Sequence, residues 1–322
     1  MKIRRTILIF AAVLLAAAML CSCGSAPASA QDEDSLKIVV TIFPEYDWVR
    51  NIVGNDTEGA EITLLMDSGV DLHSFQPSAE DIMKISTCDV FIYVGGTSDA
   101  WVEDALKTTV NRDMAVISLM DELGSLVKEE ELVEGMQGDG EEEETEYDEH
   151  VWLSLRNASY ICNRITDVLS EKDPEKASVY AANNEAYQEK LSALDSEYRN
   201  AVDSAEFDTL IFGDRFPFRY LTDDYGLKYY AAFAGCSAET EASFETVIFL
   251  ADKLNELGLK NVCRIETSDG AIAKTITDTA KSGAGIVVFD SMQSVTANDM
   301  ENGTTYLSVM ESNLNKLKEA LN

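Results

Sequence analysis

The chain is 322 residues long, which fits two domains at about 150 residues each. Its 25 Lys and Arg stand against 58 Asp and Glu, for a net charge of −33, and this excludes a nucleic-acid binder, because phosphate contact needs clustered cations. With 46% hydrophobic and 8% aromatic residues there is enough apolar material for packed cores, so disorder throughout is excluded as well.

Lys2, Arg4 and Arg5 precede the apolar run Thr6 to Leu20, which is too short for an ordinary spanning helix and suits a signal peptide. The run ends Leu20-Cys21-Ser22-Cys23-Gly24, similar to a bacterial lipoprotein cleavage box. The expected organisation is a signal peptide over 1–22, a lipidated Cys23 and a small, polar tether over 23–35. Cys21 fits less well, because Leu20 would then occupy a position that normally holds a small residue; an ordinary secretory signal with incidental cysteines is the alternative. The expected location is extracytoplasmic, lipid-anchored at the cell membrane without spanning it.

Leu36 to Phe43 is a β-branched apolar run that reads as a buried parallel strand. A helical pattern follows to Val53. Further strands are predicted at Glu61 to Met66, Val90 to Val94 and Ala115 to Ser118, with helices at Ala79 to Ser86 and Trp101 to Thr108 between them. Asp121 to Glu149 holds fourteen acids and one Lys, and reads as a disordered surface loop. Asn157 to Leu169 is helical. Asp173-Pro174 is expected to cap and open a long helix running to about Ser204. A second series follows, with strands at Asp208 to Gly213, Lys228 to Phe233, Val262 to Ile265 and Gly285 to Phe289. Helices are expected at Tyr220 to Tyr225, Phe244 to Glu256, Gly270 to Ser282 and Thr304 to Leu321. Strands alternating with helices predict an α/β fold of two lobes with mostly parallel sheets, residues 36–172 and 206–322, joined by one long helix over 173–205.

Cys88, Cys162, Cys236 and Cys263 form no CxxC pair, so a cysteine zinc cluster is not expected. Cys236 and Cys263 are a conceivable disulfide in an exported protein, with four free thiols as the alternative. The chain has two histidines. His73 lies just past the second strand in Asp71-Leu72-His73-Ser74-Phe75-Gln76-Pro77-Ser78, and His150 lies in Asp148-Glu149-His150-Val151-Trp152-Leu153. Both flank carboxylates at junctions between loop and regular structure, where open α/β sheets bind ligands, and imidazole suits zinc and other late first-row ions. Asp290 and Glu266 end strands in the second lobe and are candidate ligands from the facing wall, although an acid at a strand tip can instead cap the following turn. There is no HExxH, GxSxG, phosphate-loop or GxGxxG signature, so no enzyme is expected.

The chain resembles the zinc- and manganese-specific substrate-binding lipoproteins of bacterial ABC importers, the cluster A-I type. The resemblance rests on the DLHSFQPS and DEHVWLS segments holding the histidines, YLTDDYGL at Tyr220 to Leu227, ETEA at Glu239 to Ala242 and VVFDSM around Asp290, and covers residues 36 to 322. It implies two α/β lobes joined by a long helix, an ion held in the cleft between them, and a metal-binding loop before the second histidine, here acidic rather than His-rich. One feature departs from the pattern. The family usually supplies a third ligand in a segment like HxAFxY, and here Gly213-Asp214-Arg215-Phe216-Pro217-Phe218-Arg219-Tyr220 puts Arg215 in that place. A guanidinium cannot coordinate a cation. Glu266 is the first candidate to replace the missing ligand and Asp214 the second, with Arg215 paired to an acid in the empty state; three protein ligands plus water is the other possibility. The resemblance implies a monomer that captures Zn²⁺ and delivers it to an ABC permease. Manganese as cargo, a zinc-dependent hydrolase, or a surface lipoprotein or adhesin without transport are the alternatives.

Overall fold

The computed structural model describes residues 35–54, 59–138, 146–237 and 241–322. The signal peptide, Cys21, Cys23, most of the tether and part of the ETEA segment lie outside them. No helix among the described residues is long and apolar enough to cross a membrane.

The β-branched runs of the first half pair as β1 (Leu36–Val40), β2 (Ala60–Leu64), β3 (Val90–Tyr93) and β4 (Ala115–Ser118), in the order β2-β1-β3-β4. The second half forms β5 (Thr209–Phe216), β6 (Lys228–Ala234), β7 (Asn261–Ile265) and β8 (Gly285–Phe289), in the order β6-β5-β7-β8. Every pairing is parallel. Ile38, Val40, Val90, Phe91, Ile211 and Phe212 are fully buried, as strands covered on both faces require. The two sheets share one topology. In each, the chain steps from its first strand to one side and then crosses to the other, which leaves a crevice beyond the carboxyl ends between β1 and β3 and between β5 and β7.

In the first half, α1 (Phe43–Val53), α2 (Ala79–Thr87), α3 (Trp101–Lys107) and α4 (Leu119–Leu123) connect the strands, and α5 (Leu155–Lys172) follows. The 27-residue α6 (Ala177–Asp203), about 40 Å long at 1.5 Å per residue, links the two halves. Near its start Asn183 Nδ2 donates to Ile52 O at 3.0 Å, and near its end Tyr198 Oη donates to Met310 O at 2.6 Å. The long helix begins at Ala177 and not at Asp173-Pro174: Asp173 ends α5 with φ −130° and ψ 80°, outside the helical region that a following proline disfavours. Its carboxylate instead accepts from Lys176 N and Tyr180 Oη.

The acidic stretch is corrected as well. Part of it is α4, whose Leu123 is buried, and Val127, Val133 and Met136 pack against the core. Glu129 and Tyr147 form an antiparallel bridge, and Gln137 N donates to Ala232 O at 3.0 Å. Apolar residues spaced among the acids anchor the segment, while Glu141 to Glu144 lie outside the described residues. A single core cluster holds Trp48, Trp152, Tyr187, Tyr198, Phe212, Phe289 and Tyr306, drawn from both halves of the chain.

Candidate metal centre

Both histidines are set by the same local device. Asp71 caps the short 3-10 turn Leu72–Ser74 by accepting the His73 N–H at 3.0 Å. Asp148 accepts the His150 N–H at 2.8 Å just before the turn Val151–Leu153. Each Asp-x-His segment thus folds back on its own backbone and aims its ring. The two Nε2 atoms lie 3.3 Å apart. Two nitrogens bound to one tetrahedral zinc at about 2.0–2.1 Å would be separated by about 3.3–3.4 Å. The outer nitrogens are also held. His150 Nδ1 lies 2.9 Å from Asp148 Oδ1, and His73 Nδ1 lies 2.8 Å from Ser98 Oγ and 3.5 Å from Glu149 Oε2. The Asp148 carboxylate can only accept, so it favours the Nδ1–H form of His150 with Nε2 turned to a cation, while Ser98 Oγ, which can donate or accept, holds the His73 ring in place.

The supporting groups come from distant chain segments. Glu149 Oε1 accepts the Ser98 N–H at 2.8 Å, and its carboxylate passes so close to Gly96 that a Cβ there would lie 2.4 Å from Oε1. Gly96 also has φ +81°, so both space and backbone demand glycine. Tyr220 Oη donates to Asp148 O at 2.7 Å and accepts from Lys128 N at 3.1 Å, tying the His150 segment to the second half. Trp152 Nε1 donates to Ser291 O, and Tyr306 Oη donates to Trp152 O.

His73 lines a cavity of ≈ 640 Å³ together with Asp71, Arg215, Cys236, Ser237 and Thr267. His150 is fully buried, with its ring beside that of His73. Burial and the neighbouring His150 push the His73 pKa down to about 4. For His150, burial lowers the pKa, but the Asp148 charge and hydrogen bond, helped by Glu149 and Glu130, outweigh it and leave the ring above its ordinary value.

The strand-tip acids Glu266 and Asp290 are not in the group of donor atoms that the structure brings together around the histidines. Among the described residues the group able to hold a metal is His73, His150 and Cys236, whose donor atoms lie within 4.8 Å of one another. Glu266 accepts from Ser291 N and Ser291 Oγ, both at 2.8 Å, and Asp290 Oδ1 accepts from Met292 N at 2.7 Å. Both acids therefore satisfy the turn after β8. Asp214, on β5, is also committed: its carboxylate accepts from Arg215 N at 2.9 Å and Ile265 N at 3.3 Å. The parallel register of β5 shifts between Phe212 and Arg215, and Arg215 lines the cavity, where it donates to Asp71 Oδ2 at 3.1 Å across the cleft. Cys236 and Cys263 are both free rather than bonded to each other. Cys263 is buried mid-sheet opposite Phe212 and Val287, whereas Cys236 faces the cavity. The residues that sequence reasoning does not assign are Cys236, Ser98 and Glu130. Their one signal is position, since Ser98 follows Gly95-Gly96 after β3 and Cys236 follows β6.

The model of the family described as zinc-uptake complex component A, periplasmic, matches residues 38–320. The zinc-binding lipoprotein AdcA of Streptococcus pneumoniae is 33% identical over 290 residues, covering 90% of this chain and 56% of the relative. The high-affinity zinc uptake system protein ZnuA of Bacillus subtilis is 29% identical over 314 residues, covering 97% of this chain and 96% of that one. The chain spans about half, 56%, of the length of the AdcA relatives it matches. Among solved structures, the Zn(II)-bound ZnuA-like domain of Streptococcus pneumoniae AdcA superposes with a TM-score of 0.70 at 30% identity, covering 89% of this chain and 99% of that one.

Proposed function

The chain belongs to the zinc-uptake complex component A family, and from that membership we propose that it captures Zn²⁺ in the cleft between its two α/β lobes and delivers it to an ABC permease outside the cytoplasm. The observation that carries the reading is the pair of Nε2 atoms 3.3 Å apart, each ring oriented by a partner on its Nδ1. His73 and His150 are the two imidazole ligands. Asp71, Asp148 and Glu149 surround them with negative charge, which favours a cation and lowers the cost of removing its water. Imidazole donors suit zinc better than manganese, for which an oxygen-dominated site would be expected. Capture and release, rather than catalysis, is the role, with the lobes 36–172 and 206–322 as the two walls. Lipidation at Cys23 would hold the protein at the membrane beside the permease; the lipoprotein description of the pneumococcal relative supports this.

Isothermal calorimetry tests the site. The expected result is one tight zinc site, abolished in a His73→Ala, His150→Ala double variant. Tight binding retained in that variant would move the site elsewhere.

A further inference from the structure

We propose that Cys236 is the third protein ligand of the cleft cation, so that the metal is held by two imidazoles and one thiolate. This deepens the zinc-capture reading and rests on it.

Arg215 stands at the strand position where the family pattern places its third ligand, and a guanidinium has no lone pair to offer. It is engaged by Asp71 at 3.1 Å. The acids that might have substituted accept backbone hydrogen bonds, Asp214 from β5 and β7 and Glu266 and Asp290 from the turn after β8, and none of them is in the group of donor atoms that holds both histidines. The Cys236 thiol is different. It lies within 4.8 Å of the ligand atoms of both histidines and lines the same cavity.

The turn that carries Cys236 is built to bring it there. Glu130 Oε1 accepts the Cys236 N–H at 2.8 Å, so the acidic segment pins the cysteine backbone. Gly235 lets the turn close over the His150 ring, since a Cβ at that position would lie 3.1 Å from Nδ1 and Cε1 and 2.9 Å from Phe216 O. The loss of a ligand on β5 and the arrival of a sulfur after β6 thus fall on neighbouring strands of one sheet. A tetrahedral zinc site with one sulfur at about 2.3 Å and nitrogens at about 2.0–2.1 Å needs a sulfur–nitrogen separation of about 3.6 Å, which falls inside the 4.8 Å that bounds the present separations. Binding transfers the thiol proton to solvent and forms the metal–sulfur bond, with no change of oxidation state. A thiolate also narrows the cargo: soft sulfur favours zinc and other thiophilic ions over manganese.

Zinc-edge X-ray absorption on the zinc-loaded protein tests this. The expected spectrum contains one sulfur neighbour at about 2.3 Å beside nitrogen or oxygen neighbours. In Cys236→Ser the sulfur disappears, one histidine-dependent zinc remains, and affinity falls at least roughly tenfold; in Cys88→Ser the sulfur stays. A sulfur-free shell in wild-type protein that still binds one zinc through His73 and His150 would overturn the thiolate and leave the zinc site standing. The same sulfur signal persisting in Cys236→Ser would also overturn it. Absence of any stoichiometric zinc would overturn both. The wild-type spectrum decides for or against sulfur even if the serine variant does not fold.

Discussion

At the scale of single residues, the two histidines are prepared unequally. His73, with its pKa down at about 4, is neutral at physiological pH and offers its Nε2 without losing a proton. His150 is raised by Asp148, so on acidification it takes up a proton before His73 does, and that proton competes with the cation. Acid therefore competes at His150 first. Zinc affinity is expected to fall steadily between pH 7.5 and pH 5, and Asp148→Asn is expected to shift that fall to lower pH while weakening binding at neutral pH, because the ring loses its orienting partner. Affinity titrations across this range check both effects, and equal affinity at the two ends would rule out histidine ligation. The histidines are readable in the sequence because imidazole is scarce here and both rings follow an aspartate at the same interval. Cys236 is not, because nothing near it in the chain marks a ligand. Its partners arrive through the fold, and a single cysteine between Gly235 and Ser237 reads equally well as a buried thiol. Asp290 and Glu266 do stand at strand tips, but spacing alone does not reveal that Ser291 and Met292 amides claim their oxygens.

At the scale of elements, the parallel strands are legible as continuous β-branched runs, and Ala115–Ser118 and Gly285–Phe289 coincide with their expected limits. The acidic stretch reads as disordered because charge dominates its composition, whereas its ordering comes from a few apolar anchors and a few backbone bonds. Tyr220, at the start of α7 (Arg219–Tyr225), is one of those fasteners: its hydroxyl serves Asp148 O and Lys128 N together. Tyr220→Phe leaves both groups short of a partner in a buried place. It is expected to cost about 1–3 kcal/mol in urea unfolding and to weaken zinc binding through the His150 segment. A change below a few tenths of a kcal/mol in stability, with unaltered zinc affinity, would show that the acidic segment is held by other contacts.

At the scale of the whole molecule, the cleft lies between two sheets of the same topology, yet the halves share one core through Trp48, Trp152, Tyr198 and Tyr306. Trp48 and Tyr306 pack edge to face with ring centroids 5.2 Å apart. Rings interlocked across both halves oppose a wide hinge, so capture is expected to involve local closure of turns over the ion rather than a large rotation. Because zinc binds the folded cleft and not the unfolded chain, it is expected to stabilise the protein by about 2.7 kcal/mol at a free concentration one hundred times Kd. Thermal unfolding with and without zinc measures this. The net charge of −33 adds a field that draws cations toward the surface, weakened by salt.

Anomalous diffraction from zinc-loaded crystals, collected on both sides of the zinc edge, locates the cargo without reference to any sequence comparison. The expected result is one strong peak between His73 Nε2 and His150 Nε2, within bonding distance of both. A peak away from these rings, or rings that have turned from each other in the loaded protein, would contradict zinc capture at this cleft.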